Sequence, residues 1–375
     1  MESGKDFLFF LPYNEIKEEK KEAVMNKEMR VAVFLDKGKI EIEKFPIPKC
    51  DNDKLLIKTE ACAICTWEQR VYRGTHNVQY PVIGGHEVSG YIVEVGKDLI
   101  NQGWNVGDKV VVGATLPCGS CEHCKSGNAQ NCLTFDVLDA LPAQPYKGTG
   151  GMSEYMMQQP RCVTKYANVS AQEACLSEPL SCVLHSVETV QPQFGDMVVV
   201  VGAGIMGLMH TQLCVRKGTI VIVVDMNEDR LKLAKQLGAT FTINPDKENV
   251  EQRIIEISDG KKADHVFDTT PIANVVEESI QYVGNCGKLV IYSGIYPNHK
   301  ISIDPHWIHK KGIQIVGTAN SNERDFLRAV RMISYGIVDV KPFISGVWNI
   351  KDANKALDSA CKGDKFRNIL KMDFD

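Results

Sequence analysis

The hydrophobic pattern changes character part-way along the chain. From Met29 to about Cys175, short apolar runs at 31–35, 55–60, 90–95 and 109–112 are separated by Gly, Pro, Asn and Asp. That texture predicts strands joined by turns in an irregular, β-rich domain. From about Pro179 the pattern alternates: an apolar strand at 197–201, a helix at 205–217, a strand at 220–225 and a helix at 228–237. Unbroken Val/Ile runs between helices are what a parallel sheet covered on both faces requires, so this half predicts a doubly wound α/β domain. Further strands are expected at 263–268, 288–292 and 313–316, and a helix at 323–335. The stretch 338–370 does not extend the alternation and is expected to return to the first domain. With no internal repeat or low-complexity linker, the two domains should pack closely.

A length of 375 residues agrees with two cores. The composition, 44% hydrophobic and 24% charged, is that of an ordinary globular protein, and no apolar run approaches the roughly 18 residues of a membrane span. A net charge of −4 offers no basic face for a phosphate backbone, so no nucleic-acid partner is expected. Residues 1–28 read as an N-terminal extension. Their apolar patch at 7–13 runs at once into the charged stretch 15–22 and has no small-residue cleavage site, unlike a signal peptide. Thirteen cysteines, an odd number, argue for free thiols and metal rather than a disulfide framework, and for the reducing cytoplasm.

Four of those cysteines, Cys118, Cys121, Cys124 and Cys132, stand at C-x2-C-x2-C-x7-C spacing on a loop with Gly119, Ser120, Gly127 and Asn128. Four thiolates so spaced can close a tetrahedron around zinc with no open position, which makes a structural site. His123, inside the cluster, reads as a solvated loop residue. A second, dispersed set comprises Cys65, the adjacent His86 and Glu87, and Glu178 in Glu178-Pro179-Leu180. Each alone is weak, because a lone cysteine is usually core and a lone glutamate usually solvated. Together they offer the mixed S, N and O donors of a catalytic zinc acting as a Lewis acid toward an alcohol oxygen.

Gly202-Ala203-Gly204-Ile205-Met206-Gly207 follows an expected strand and opens an expected helix, the context that makes G-x-G-x-x-G a dinucleotide fingerprint. Asp225 ends the next strand, where a carboxylate binds ribose hydroxyls and repels a 2′-phosphate, favouring NAD over NADP.

In this order the motifs resemble the zinc-containing medium-chain alcohol dehydrogenase family, from Met29 to the C-terminus. The resemblance implies a GroES-like β-rich catalytic domain and a Rossmann doubly wound parallel-sheet domain. It assigns 29–180 to the first catalytic segment, with a structural zinc lobe at 115–135, 181–320 to NAD binding, and 321–375 to the return. It places Cys65 and His86 at catalytic zinc, with Glu87 beside them and Glu178 at the third-ligand position, and leaves open which glutamate ligates. Glu178 there looks like the sorbitol, threonine and polyol dehydrogenase branch. Arg230 looks like an adenosine-facing residue, and Arg367 falls near a C-terminal cofactor contact. Two zinc ions, NAD, a small-molecule alcohol or ketone, and a homodimer or homotetramer follow by resemblance.

One departure stands out. Where the family usually carries a hydroxyl and often a histidine after the catalytic cysteine, this chain reads Thr66-Trp67-Glu68-Gln69-Arg70. Indole donates only and guanidinium stays protonated, so neither Trp67 nor Arg70 can relay a proton. Thr66, water or Glu178 remain as carriers, and Glu68 can hold His86 from behind. A register with Cys62 as ligand would lose the rest of the local match. Thr66, Trp67 and Arg70 are expected to line a pocket for a multiply hydroxylated or anionic substrate. The implied reaction is hydride transfer between NAD and a secondary alcohol or ketone of a polyol, cyclitol or sugar. The alternatives are a threonine-like amino-alcohol dehydrogenase and a zinc- and NAD-binding protein without turnover.

Overall fold

The computed structural model describes residues 28–113, 117–133 and 146–373. The expected extension before residue 28, and positions 115, 116, 134 and 135 of the expected zinc lobe, lie outside the described residues. No helix among the described residues is long and apolar enough to cross a membrane.

The chain opens with β1 (Glu28–Asp36) and β2 (Lys39–Pro46), an antiparallel pair turning at Gly38, where φ is +69°. Next come β3 (Leu55–Ala63), helix α1 (Thr66–Arg73), β4 (Glu87–Val95), β5 (Lys109–Val112), β6 (Tyr155–Gln158) and β7 (Val163–Lys165). Helix α2 (Ser177–Val190) then leads into alternating strands and helices. The strands are β8 (Met197–Val201), β9 (Ile220–Val224), β10 (Phe241–Ile243), β11 (Ala263–Asp268), β12 (Val283–Ile291) and β13 (Gln314–Gly317). Helices α3 (Ile205–Arg216) and α4 (Glu228–Gln236) join the first three of them.

Those six strands are all parallel, in the order β10-β9-β8-β11-β12-β13. This is the doubly wound 3-2-1-4-5-6 order, whose direction of winding reverses beside its first strand and opens a crevice there. Alternate valines serve opposite cores. Val198, Val200, Val221 and Val223 face the layer containing α2 and α3, and Val199, Val201, Ile222 and Val224 face the other. Each fully buried valine contributes about 1.5 kcal/mol or more over an exposed one, which accounts for the run of β-branched residues.

After helix α5 (Glu323–Ser334) the chain returns to the first sheet as β14 (Ile344–Asn349) and β15 (Arg367–Lys371). The completed order is β14-β15-β3-β4-β5-β7, with β6 on β3. Ala61, Ala63 and Ile369 of this sheet share one core with Leu180, Val183 and the β8 valines. Helix α2 therefore lies between the two sheets, with its first turn at their junction.

Candidate metal and dinucleotide site

Strand register brings three distant stretches of the chain together. Ala63 pairs with Glu87 on one side and Ile369 on the other, and Ile64 N–H donates to the Asn368 carbonyl at 2.9 Å. Two residues further along, Cys65 leaves the sheet to cap α1, Arg367 stands opposite it, and His86 precedes the start of β4. One donor atom from each of Cys65, His86 and Glu87 lies within 4.8 Å of the others. Cys62, by contrast, is buried with its thiol toward the Ala63 carbonyl, outside this cluster.

Glu68 organises the cluster from behind. Fully buried, it accepts the Cys65 N–H at 3.0 Å and the Gly85 N–H at 2.9 Å, and meets His86 Nδ1 at 2.9 Å. Burial pushes the Glu68 carboxyl up, but His86 and the hydrogen bonds bring it below its ordinary value. Burial disfavours the charged His86 ring, yet Glu68 and Cys65 hold it well above the usual imidazole range. With Nδ1 committed to Glu68, Nε2 is left for the cluster, and a divalent cation would displace its proton.

Glu87 is fully buried and its carboxylate is held by Arg367, Nε to Oε2 at 2.9 Å and Nη2 to Oε1 at 2.8 Å. Arg367 Nη2 also lies 3.6 Å from Cys65 Sγ. Expected as a cofactor contact, Arg367 is thus built into the donor cluster. Glu178, in the first turn of α2, stands outside the close triad but near enough for His86 and Glu87 to act on its charge. Burial pushes its carboxyl up to about 7, and Cys182 Sγ approaches Oε1 at 3.6 Å.

Thr66 and Trp67 lie against the cluster, and Arg70 lies further along α1. Thr66 is exposed, with Oγ1 3.7 Å from Cys65 Sγ. Trp67 sets its ring edge-on to His86 and donates Nε1–H to His76 Nε2 at 3.1 Å. His76 carries no sequence signal; it is found only because the loop after α1 folds back onto the indole. Burial first, and Arg70 second, hold its imidazole below the ordinary value. The Arg70 guanidinium lies 4.3 Å from the ring centroid of Tyr296, in the loop after β12.

Cys118, Cys121, Cys124 and Cys132 form a second donor group, with sulfurs 3.5 Å apart for 121–124, 3.9 Å for 121–132 and 4.0 Å for 118–124. A tetrahedron of thiolates at about 2.3 Å from zinc has edges of about 3.8 Å, so the set fits that ion. The N–H groups of Ser120 and Cys121 point at Cys118 Sγ, which suits a thiolate. His123 is not part of this set.

The glycine loop is shaped for close backbone approach. Gly202 has φ +93°, and a Cβ on Gly207 would sit 1.8 Å from the Gly202 carbonyl oxygen. Gly204, at the N-cap of α3, faces open space on its side-chain side, as a pyrophosphate seat at a helix N-terminus requires. Ile205 is buried in the core, and the Met206 carbonyl accepts from His210. Thr269, unremarked in the sequence, ties β11 to the loop through Val201 O at 2.8 Å. Asp225 accepts the Ala203 N–H at 2.6 Å and the Asn227 N–H at 2.8 Å, which fixes its carboxylate at the end of β9. Arg230 lies on α4, with Nη2 3.0 Å from the Gly363 carbonyl and its guanidinium over Phe366.

Residues 51–168 match the alcohol dehydrogenase GroES-like domain, and residues 206–335 match the zinc-binding dehydrogenase domain. An uncharacterised zinc-type alcohol dehydrogenase-like protein of Haemophilus influenzae is 30% identical over 322 residues, 85% of this chain and 91% of that one. The chain belongs to the zinc-type alcohol dehydrogenase family. Another relative of this zinc-type dehydrogenase is the D-arabinitol dehydrogenase 1 of Uromyces fabae, 29% identical over 87% of this chain and 93% of that one. Its fold is shared by an Escherichia coli alcohol dehydrogenase complexed with NADH, with a TM-score of 0.83 at 24% identity over 92% of this chain and all of that one. As a family member the chain is a zinc-type oxidoreductase.

Proposed function

We propose that this zinc-type dehydrogenase transfers hydride between NAD and a secondary alcohol or ketone of a polyol, cyclitol or sugar. The observation that carries the reading is the meeting of Cys65, His86 and Glu87 at the junction of the two sheets, with Glu178 approaching from the turn of α2. When bound, zinc supplies a Lewis acid for the alcohol oxygen and nicotinamide accepts the hydride. Cys65, His86 and one carboxylate hold the metal. Because Arg367 occupies the Glu87 carboxylate, Glu178 is the better resting ligand, with Glu87 in reserve.

Glu68 fixes the His86 tautomer, and Trp67 walls the cleft on the His86 side. Since Trp67 N–H is spent on His76, the substrate proton leaves past the Thr66 hydroxyl, which lies beside Cys65 and reaches solvent. The four clustered cysteines hold a second, structural zinc. Asp225 selects NAD over NADP. The free thiols suit a reducing cytoplasm, and a homodimer or homotetramer is the expected assembly.

Named relatives support the substrate class, D-arabinitol among them. The test is NADH formation from polyols, cyclitols, sugars and amino alcohols supplied with NAD. Turnover confined to the first three groups is expected, whereas turnover confined to amino alcohols would replace the reading.

A further inference from the structure

Arg70 is an unusual arginine for its position. Among the described residues its guanidinium meets no carboxylate and no hydrogen-bond acceptor, and its Nε is buried without a partner. Buried polar atoms are satisfied in the great majority of cases, so an orphan beside a catalytic cleft needs an explanation. The nearby ionisable group, His76, is held below its ordinary value by burial first and Arg70 second, and an imidazole carries no negative charge to pair with a guanidinium.

The surroundings show what the explanation must fit. Trp67 and Arg70 are three residues apart on α1 and share one face of it. Trp67 touches His86, whereas Arg70 stands five residues beyond Cys65, about 7.5 Å along the helix axis. Tyr296 covers one face of the guanidinium from the loop that leaves the carboxyl end of β12, the edge at which doubly wound sheets bind ligands. Gly294 allows that placement, because a Cβ there would lie 2.7 Å from a Tyr296 ring carbon. A guanidinium stacked on a ring keeps its in-plane N–H donors free, and their fork matches the oxygens of a carboxylate or phosphate.

We propose that Arg70, braced on Tyr296, binds a terminal oxyanion of the substrate, a phosphate monoester or a carboxylate, while the carbinol at the substrate's other end lies at the Cys65–His86 cluster. The proposal rests on the reading of that cluster as the site of alcohol oxidation. It adds that the preferred substrate is an acidic derivative of a polyol rather than the neutral polyol. Trp67 then packs along the carbon chain between the two ends.

The experiment compares wild type, Arg70→Met and Arg70→Lys on matched sets of pentitols and hexitols, their terminal phosphates, and the corresponding aldonates, with NAD saturating. Wild type is expected to favour one of the two anionic sets by about 10- to 100-fold in kcat/KM, the range for a charge-assisted contact. Which set it favours identifies the anion. Arg70→Met should abolish the preference through KM for the anionic substrate, with Arg70→Lys retaining part of it. A wild type that uses neutral polyols equally well, an unchanged ranking in Arg70→Met, or an effect falling on KM for NAD instead would each overturn the proposal. If no set yields NADH, the oxidation reading fails separately. Calorimetric titration with the polyol phosphates and aldonates then decides the anion site alone: binding lost in Arg70→Met sustains it, and absent or unaltered binding overturns it.

Discussion

Arg367 and Glu87, 280 positions apart, form a buried forked ion pair directly beside Cys65. At 3% and 0% exposure, neither charge has water to fall back on. Breaking such a pair by removing one partner costs about 3–5 kcal/mol, while replacing both by apolar groups is often close to neutral. Arg367→Met should therefore lower the thermal midpoint strongly, and Arg367→Met with Glu87→Leu should recover much of the loss. Scanning calorimetry on the wild type, Arg367→Met, Glu87→Leu and the double variant checks this. A double variant less stable than either single one would contradict the assignment.

The two local motifs were readable because each lies within one short stretch of chain: the four cysteines span fifteen positions and the glycine fingerprint six. The continuous valines of β8 and β9 likewise announced a buried parallel sheet. What the sequence did not reveal depends on strand register across the whole chain. Arg367 reaches Glu87 because β15 pairs with β3 and β3 with β4, a relationship no local pattern encodes. The family resemblance places Arg367 near a cofactor contact, and the structure pairs its guanidinium with the Glu87 carboxylate. His76 was missed for a related reason: its role arises from a loop folding onto Trp67. Thr66, Trp67 and Arg70 were legible as departures, but the empty coordination of Arg70 was not.

Cofactor choice is a second prediction. The Asp225 carboxylate is held by two backbone N–H groups and cannot easily turn away from a 2′-phosphate. Wild type should favour NAD, and Asp225→Ser should narrow the NAD to NADP ratio of kcat/KM by about 10-fold or more, the worth of roughly one charge contact. Equal use of both cofactors by wild type would refute this role.

A third concerns acid stability. His210 is fully buried in α3, between Phe267 and Tyr292, with Nδ1 2.8 Å from the Met206 carbonyl and Nε2 3.0 Å from Ser186 Oγ. Burial lowers its pKa to about 4, although the Met206 carbonyl opposes the shift. The unfolded chain takes up a proton near pH 6.5 that the folded protein resists. The native advantage is therefore complete above that pH and is lost as pH falls toward 4, by up to about 3 kcal/mol. His210→Gln should flatten the decline of the thermal midpoint between about pH 6.5 and 4. An identical slope in the variant would mean that His210 is not the titrating group.

Two donor clusters of different character, one all-thiolate and one of mixed donors at the junction of the sheets, form the proposed metal centres. Elemental analysis of the purified protein and of the Cys65→Ala, His86→Ala double variant tests that most directly. Two zinc ions per chain in the wild type and one in the variant are expected. Two zinc ions retained by the variant would show that Cys65 and His86 hold no metal, and would contradict the proposed site of catalysis.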